Sequence, residues 1–568
     1  MINKASFLLC LGLVIAAPVL PSASGATQST QLDESLLENF SWRSVGPPGA
    51  GGRIIDVDVA GEFPYTIFIA GATGGLWRSV NNGVTFEPLF DHEGTNSIGA
   101  IAIHPTNPDI IWVGTGENNA RNSVSWGDGV YKSTDGGESW TNLGLRDSHH
   151  IGDILVDPTD PETVYVAALG HFWGASEERG VYKTSDGGES WERVLFIDEN
   201  SGVVDLAMDA RDSGTLYAAA YQVQRDGFSG GNPETMYGPG SGIYKTSDGG
   251  RSWKELTRGL PPGEKGRIGL AVSQTDPEIV YAIVQTATSV GAPRDPDIPA
   301  DPDPAPPRTM RDGGVFRSSD RGESFEWVNG INPRPFYYSQ IRVDPSDPDR
   351  VYVLGGSVAV SDDGGENFEN LRMNVHVDHH DLWIDPANPD HLVLGNDGGL
   401  YFSYDRGVTW DFLNQMALGQ FYAIDVDMRD PYYIYGGVQD YMSWAGPSAT
   451  SNSIGITTSD WYKVMTGDGF QVRIDPTDPN IVYAESQGGG LIRHDQRSGQ
   501  NTRIQPQAPN GDDRYRFNWD TPIHISYHDP ATLYMGGNHL FRSRNRGNEW
   551  EAISPDLTTY TRSRPDFR

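Results

Sequence analysis

One ten-residue phrase recurs through this chain almost unchanged: YKSTDGGESW at Tyr131–Trp140, YKTSDGGESW at Tyr182–Trp191 and YKTSDGGRSW at Tyr244–Trp253. So strict a repeat constrains the fold strongly, because every copy must occupy the same local structure. The phrase belongs to a longer unit in which an apolar strand and an Asp-Pro turn lead into a second strand. Examples are ILVDPTDPETVYVAA from Ile154, IRVDPSDPDRVYVLG from Ile341 and VRIDPTDPNIVYAES from Val472. β-branched residues and Tyr fill the strands, while Pro and Asp set the turn. A third strand then runs into Ser/Thr-x-Asp-x-Gly-x-Ser/Thr-Trp. There Asp and the hydroxyls tie down the turn backbone, Gly takes a conformation other side chains avoid, and Trp packs back between sheets.

Ten such units can be counted, with first strands near Ile54, Ile98, Ile151, Val204, Ile268, Ile341, Leu382, Ala423, Val472 and Ile523. Boxes follow at Ser79, Ser133, Thr184, Thr246, Ser318, Ser361, Ser403 and Ser543, and units eight and nine lack them. Periods of roughly 40–50 residues with four short strands each indicate propeller blades. The expected fold is an all-β propeller of ten four-stranded blades. The preferred arrangement is a seven-bladed ring over 40–415 followed by three further blades over 416–568. The alternative is a single ten-bladed ring. A Pro/Asp-rich stretch, 289–314, cannot be a core strand and reads as a flexible loop within blade five.

The chain opens with Lys4 and an apolar run ending in small residues near Ala26, the pattern of a secretory signal over 1–26. The single cysteine, Cys10, lies inside it, so the remainder needs no disulfide or thiol chemistry. The expected location is therefore secreted or periplasmic. A net charge of −34 argues against nucleic acid and anionic membranes as partners, and no run after the signal is apolar enough to span a bilayer. A neutral ligand, such as a polysaccharide or oligosaccharide, or a small cation fits this charge better. The 15 Trp and 25 Tyr are compatible with sugar stacking.

The units resemble the BNR/Asp-box repeats of the sialidase-like superfamily. The phrases HFWGASEERGVYKTSDGG, HVDHHDLWIDP, GNDGGLYFSYDRG, GGVQD and GDGFQVRIDPTDPNIVYAES resemble more closely a group of secreted bacterial sortilin-like proteins. The resemblance implies a relation to glycoside hydrolase family 74, the xyloglucanases, whose two seven-bladed propellers face each other across a glycan cleft. It also implies a catalytic Asp in a Thr-Asp-x-Gly-Gly phrase of the first blade, where this chain has Ala72. The phrase of the second carboxylate has its counterpart at Asp468. No arginine triad for gripping a carboxylate is present, which argues against sialidase activity.

Loops at one end of a propeller axis converge on a funnel, and the box turns lie at the other end, so the box Asp residues are not candidates. Asp468 and Asp440, in the upper loops of adjacent units, form the best pair for acid/base work at a glycosidic bond. Trp444 and Tyr441 would supply stacking surface, with Glu485 and Gln487 nearby. In the first ring Arg53, Glu117, Asn118, His149, His150, His171 and Trp173 occupy equivalent upper positions, as a binding surface or as channel lining. On a strand His376, Asp378 and His380 would share one face, making a candidate divalent-metal set or a polar plug. No other cofactor is expected. Two functions follow: a xyloglucanase-like hydrolase of neutral β-glucan, or a non-catalytic sortilin-like propeller holding a peptide or protein ligand.

Overall fold

The computed structural model describes residues 43–46, 51–61, 65–226, 232–287, 313–413, 415–510 and 512–558. The expected signal segment, and all but the last two residues of 289–314, fall outside them. The chain divides into a leading segment, Met1–Ser44, and one compact unit, Val45–Arg568. In the leading segment only 43 and 44 are described, and they form no regular element.

Val45–Arg568 contains ten four-stranded antiparallel sheets, each built from strands consecutive in sequence. Among the described residues there is no α-helix, and none of the short 3₁₀ turns is long and apolar enough to cross a membrane. The first strands are Ile54–Val59, Ile98–Ile103, Ile151–Val156, Ser201–Asp209, Lys265–Val272, Gln340–Asp344, His379–Ile384, Phe421–Val426, Val472–Ile474 and Ile523–Ile525. Each coincides with an expected unit. The first strands of blades one to seven are packed side by side in sequence order, and Ile54–Val59 packs in turn against His379–Ile384. The ring therefore closes after seven blades, and a ten-bladed ring is excluded. Blades eight to ten stack on one another as an arc.

The boxes bond as their residue types dictate. In the second blade Ser133 donates to Asp135 at 2.8 Å and accepts from the Gly137 amide at 2.8 Å. The amide and hydroxyl of Ser139 donate to Asp135 at 2.9 and 2.6 Å. Ser139 and Ser133 together hold the Asp135 carboxyl down at about 2. Trp140 donates from Nε1 to the Leu89 carbonyl of the preceding blade at 2.8 Å, and Trp191 and Trp550 do likewise with Leu143 and Ile504. The box thus closes its own turn, and in the second, third and tenth blades its Trp also fastens the blade to the preceding one.

A second device operates near the axis. Asp381 accepts the Val57 amide, Asp56 the Ile101 amide, Asp153 the Leu206 amide and Asp205 the Leu270 amide, each across a blade boundary. Burial pushes Asp56, Asp153 and Asp205 up, and takes Asp58 to about 7. Arg342 pairs with Asp381 at 2.6 Å among these acids. Here the ring encloses a cavity of about 290 Å³, which none of the candidate site residues lines.

The closing seam between blades one and seven buries Ile54, Val57, Ile67 and Ile69 against Val393, Leu400 and Phe402. Met416 and Leu418, from the connection that leaves blade seven, join the same cluster. This connection runs directly into blade eight, so the seam of the ring also anchors the start of the arc.

Candidate functional site

The upper loops of blades eight and nine lie against each other because two glycines let them. The Met442 amide donates to the Gly467 carbonyl at 2.9 Å, and Met442 bridges to Asp468. Gly467 has φ +86°, and a Cβ on Gly469 would fall 2.4 Å from the Met442 carbonyl oxygen. On the opposing loop Asp440 and Met442 take φ of +58° and +75°. Left-handed backbone at non-glycine residues is costly and tends to cluster at functional sites. The side-by-side loops bring Asp440 and Asp468 into one electrostatic environment, in which the charge of Asp468 raises Asp440 while the Asp440 amide lowers Asp468.

Beneath them is a buried floor contributed by the ring. Arg53 donates from Nε to Asp397 at 3.0 Å and from Nη1 to Glu117 at 2.7 Å, and its Nη2 lies 3.7 Å from Asp440. Arg121 donates to the Tyr337 hydroxyl at 2.9 Å, and Tyr337 donates to Asp397 at 2.6 Å. Ser123 donates to Gln439 at 3.0 Å, joining the loop of blade two to that of blade eight. Burial first, then the negative charge of Asp397, raises the Asp440 carboxyl well above its ordinary value, against the pull of Arg121 and Arg53. Burial also raises Asp468, with Arg121 and the Asp440 amide opposing. One Asp468 oxygen and the Arg53 Nη2 are buried without a hydrogen-bond partner. Tyr422, whose hydroxyl is likewise unpartnered, packs on Phe470 at 4.4 Å beside them. Two protonatable carboxyls above two fixed guanidinium groups can exchange a proton with a bound substrate while the total charge stays balanced.

Several expected residues take other roles. Arg53, Glu117 and Asn118 are buried and locked: Asn118 donates to the carbonyls of Gly99 and Gly152 at 3.2 and 2.9 Å. They shape the floor and present no surface to a ligand. Trp444 is also buried, its Nε1 donating to the Tyr441 carbonyl at 2.7 Å, and Tyr441 stacks flat on it. It packs with Val438 and Trp461 as core, so it is no sugar platform. Glu485 is buried, receives the Gly489 amide at 3.3 Å, and is pushed up to about 9 by burial and by Asp520. Gln487 reaches toward Gly467, next to Asp468.

Exposed tryptophans lie in loops of blades two and three, and Trp519 packs on Phe470 at 6.0 Å near the Asp468 loop. Trp126 and Trp173 are 62% and 46% exposed. His149 stacks on His171 at 3.7 Å and faces Trp126, while His150 is buried against Phe172 and pushed down to about 3. Trp126 carried no signal in the repeat pattern beyond being a Trp in an upper loop.

The metal set does not assemble. The strand begins only at His379, and Asp378 has φ +68°, so His376, Asp378 and His380 do not alternate on one face. His376 bonds the Asp440 carbonyl at 3.1 Å, Asp378 accepts from the Tyr338 hydroxyl, and His380 bonds Asp397 at 2.7 Å. Among the described residues no group of three His, Cys, Asp or Glu could hold a metal ion.

Comparison with known proteins agrees with this architecture. Residues 128–285 match the family model described as sortilin, neurotensin receptor 3. A xyloglucanase from a Paenibacillus species is 24% identical over 595 aligned positions, covering 84% of this chain and 55% of the relative. The chain is a β-propeller similar in sequence to sortilin over 128–285 and to the xyloglucanases. The oligoxyloglucan-reducing end-specific xyloglucanase of Emericella nidulans is 26% identical over 47% of this chain and 35% of its own length. The chain thus spans about half or less of the length of these curated relatives. Among solved structures, the GH74 xyloglucanase of Xanthomonas campestris matches with a TM-score of 0.52 at 16% identity, covering 91% of this chain and 82% of that one. That likeness concerns the fold alone.

Proposed function

We propose that this chain is a secreted or periplasmic glycoside hydrolase acting on a neutral β-glucan of the xyloglucan type, with Asp440 and Asp468 as the reacting pair. The observation that carries the reading is the bridge Met442–Asp468, which sets the two carboxyls in one environment over Arg53 and Arg121. Glycosidic cleavage needs one carboxyl protonated and one ionised. Asp440, raised further, donates its proton to the leaving oxygen as the bond to the anomeric carbon breaks. Asp468 meets the positive charge that develops, either by attacking that carbon or by activating water. The net charge of −34 leaves a neutral glycan unrepelled. The printed activities of the Paenibacillus and Emericella relatives support the same substrate class.

Incubation with xyloglucan, followed by proton NMR of the fresh products, tests this reading. Reducing ends of a single anomeric configuration are expected, and their configuration tells attack from water activation. Absence of any released reducing end refutes it. A second reading, a non-catalytic propeller holding a peptide, is favoured by the sortilin-model match over 128–285 and by Ala72 at the first-blade position. Peptide binding without cleavage of any glycan would establish it instead.

A further inference from the structure

Asp397 is a carboxylate with no exposed side-chain surface, yet it gathers groups from four parts of the ring. Its Oδ1 accepts from Arg53 of blade one and meets His380 of blade seven, at 3.0 and 2.7 Å. Its Oδ2 accepts from Tyr337, in the connection before blade six, and stands 3.8 Å from Arg121 of the blade-two loop. Both arginines face Asp440 and Asp468. Arg53 has its Nε and Nη1 occupied by Asp397 and Glu117, which leaves Nη2 aimed at Asp440.

We propose that Asp397 is the positioning residue of this site: it fixes Arg53 and Arg121 as the charged floor that Asp440 meets, and adds its own negative charge to that floor. The proposal rests on Asp440 and Asp468 being the reacting pair. A neighbouring carboxylate disfavours ionisation and a neighbouring guanidinium favours it. Asp397 acts directly as a negative charge and indirectly by partly offsetting the two arginines, which draw the proton off. The groups facing Asp440 are Arg53, Arg121, Asp397, Asp468, Tyr337 and Tyr422, with His376 on its carbonyl. Of these, Asp397 and Asp468 oppose ionisation by charge. Burial pulls Asp397 upward, but Arg53, His380 and Arg121 hold it well below the usual carboxylate range.

Asp397→Asn keeps shape and removes the charge. The titration of Asp440, followed by carboxyl ¹³C NMR in Asp-labelled protein and assigned with Asp440→Asn, is expected to move to lower pH by about one unit, a tenfold change in ionisation constant. Arg121→Gln should move it the opposite way, and Asp397→Glu should keep it near the wild-type position. A midpoint for Asp440 that is unchanged in Asp397→Asn overturns the proposal. Should Asp397→Asn fail to fold, an unchanged midpoint in Arg121→Gln does so equally, because the floor would then have no hold on Asp440. Where wild type cleaves xyloglucan, the alkaline limb of kcat/KM should follow the same shifts with KM nearly constant. A merely structural Asp397 would lower activity at all pH values without moving that limb. The NMR midpoint is read whether or not glycan is cleaved, so failure of the hydrolase reading and failure of this one are separate results.

Discussion

Leu418→Ala tests how the ring and the arc are joined. Leu418 is 6% exposed and belongs to the seam that closes blade seven on blade one. Its Cδ1 stands 1.8 Å from where a Cβ on Gly74 would be, and its Cγ is 2.8 Å from the same point on Gly52. The side chain therefore rests on bare backbone, and only about 10 Å³ of void adjoins it. Removal of three carbons leaves a hole lined by glycine backbone within a closed sheet, which has little freedom to collapse. Buried Leu→Ala changes cost about 2–5 kcal/mol depending on that collapse, so a loss of about 3–4 kcal/mol is expected here. Urea unfolding followed by tryptophan fluorescence reads it, since Trp77 and Trp383 pack against this cluster. A chain of this size can unfold in more than one step, so the midpoint of the transition sensed by these tryptophans is the relevant quantity. Three residues after Leu418 the arc begins, with the first strand of the blade that carries Asp440 after its second strand, Tyr433–Val438. Turnover should accordingly fall along with stability. A cost below about 1 kcal/mol would show that the seam does not depend on this residue, and the account of ring closure would fail.

The axial acids make a pH prediction. Asp58 is raised to about 7, so its contribution to stability is full below the unfolded value near 4 and is lost as pH rises through about 7. The melting temperature should therefore be higher at pH 5 than at pH 8, and Asp58→Asn should flatten that slope; a melting temperature that rises with pH over this interval contradicts the assignment. Chelation with EDTA should leave the melting temperature unchanged, because His376, Asp378 and His380 are each taken by other protein groups; a fall of several degrees that zinc or calcium restores would reinstate a metal site. Trp173→Ala should raise KM for xyloglucan several-fold with kcat nearly unaltered, as loss of one stacking surface removes ground-state and transition-state binding alike; a change confined to kcat would place Trp173 at the reacting bond.

The fold was legible because the box is a local structure. Ser133, Asp135 and Ser139 carry their bonding pattern within seven residues, so each copy announces one blade. Ring closure was less so: it depends on Ile54 and Val57 meeting Val393 and Phe402 more than 300 residues away, and apolar strands in every blade look alike. The candidate site was half legible. Asp440 and Asp468 stood out beside glycines in upper loops. Trp444 misled, because its burial is set by Trp461 and Val438 rather than by its loop. The His376–His380 reading assumed a strand that Asp378 interrupts with a left-handed turn. Asp397 and Arg121 escaped notice altogether: one lies in a Gly-rich turn, the other in a loop without a motif, and only the closed ring brings them together.

The central claim is that Asp468 and Asp440 together cleave a neutral glycan, and the most direct measurement compares wild type with Asp468→Asn on xyloglucan. Reducing-end release and calorimetric binding would be followed in the same preparation. Asn keeps the size and hydrogen-bonding capacity of Asp but cannot carry the charge or the proton. Turnover is expected to fall by orders of magnitude while affinity changes little. Equal rates of release by the two proteins, or no release by either, would contradict it.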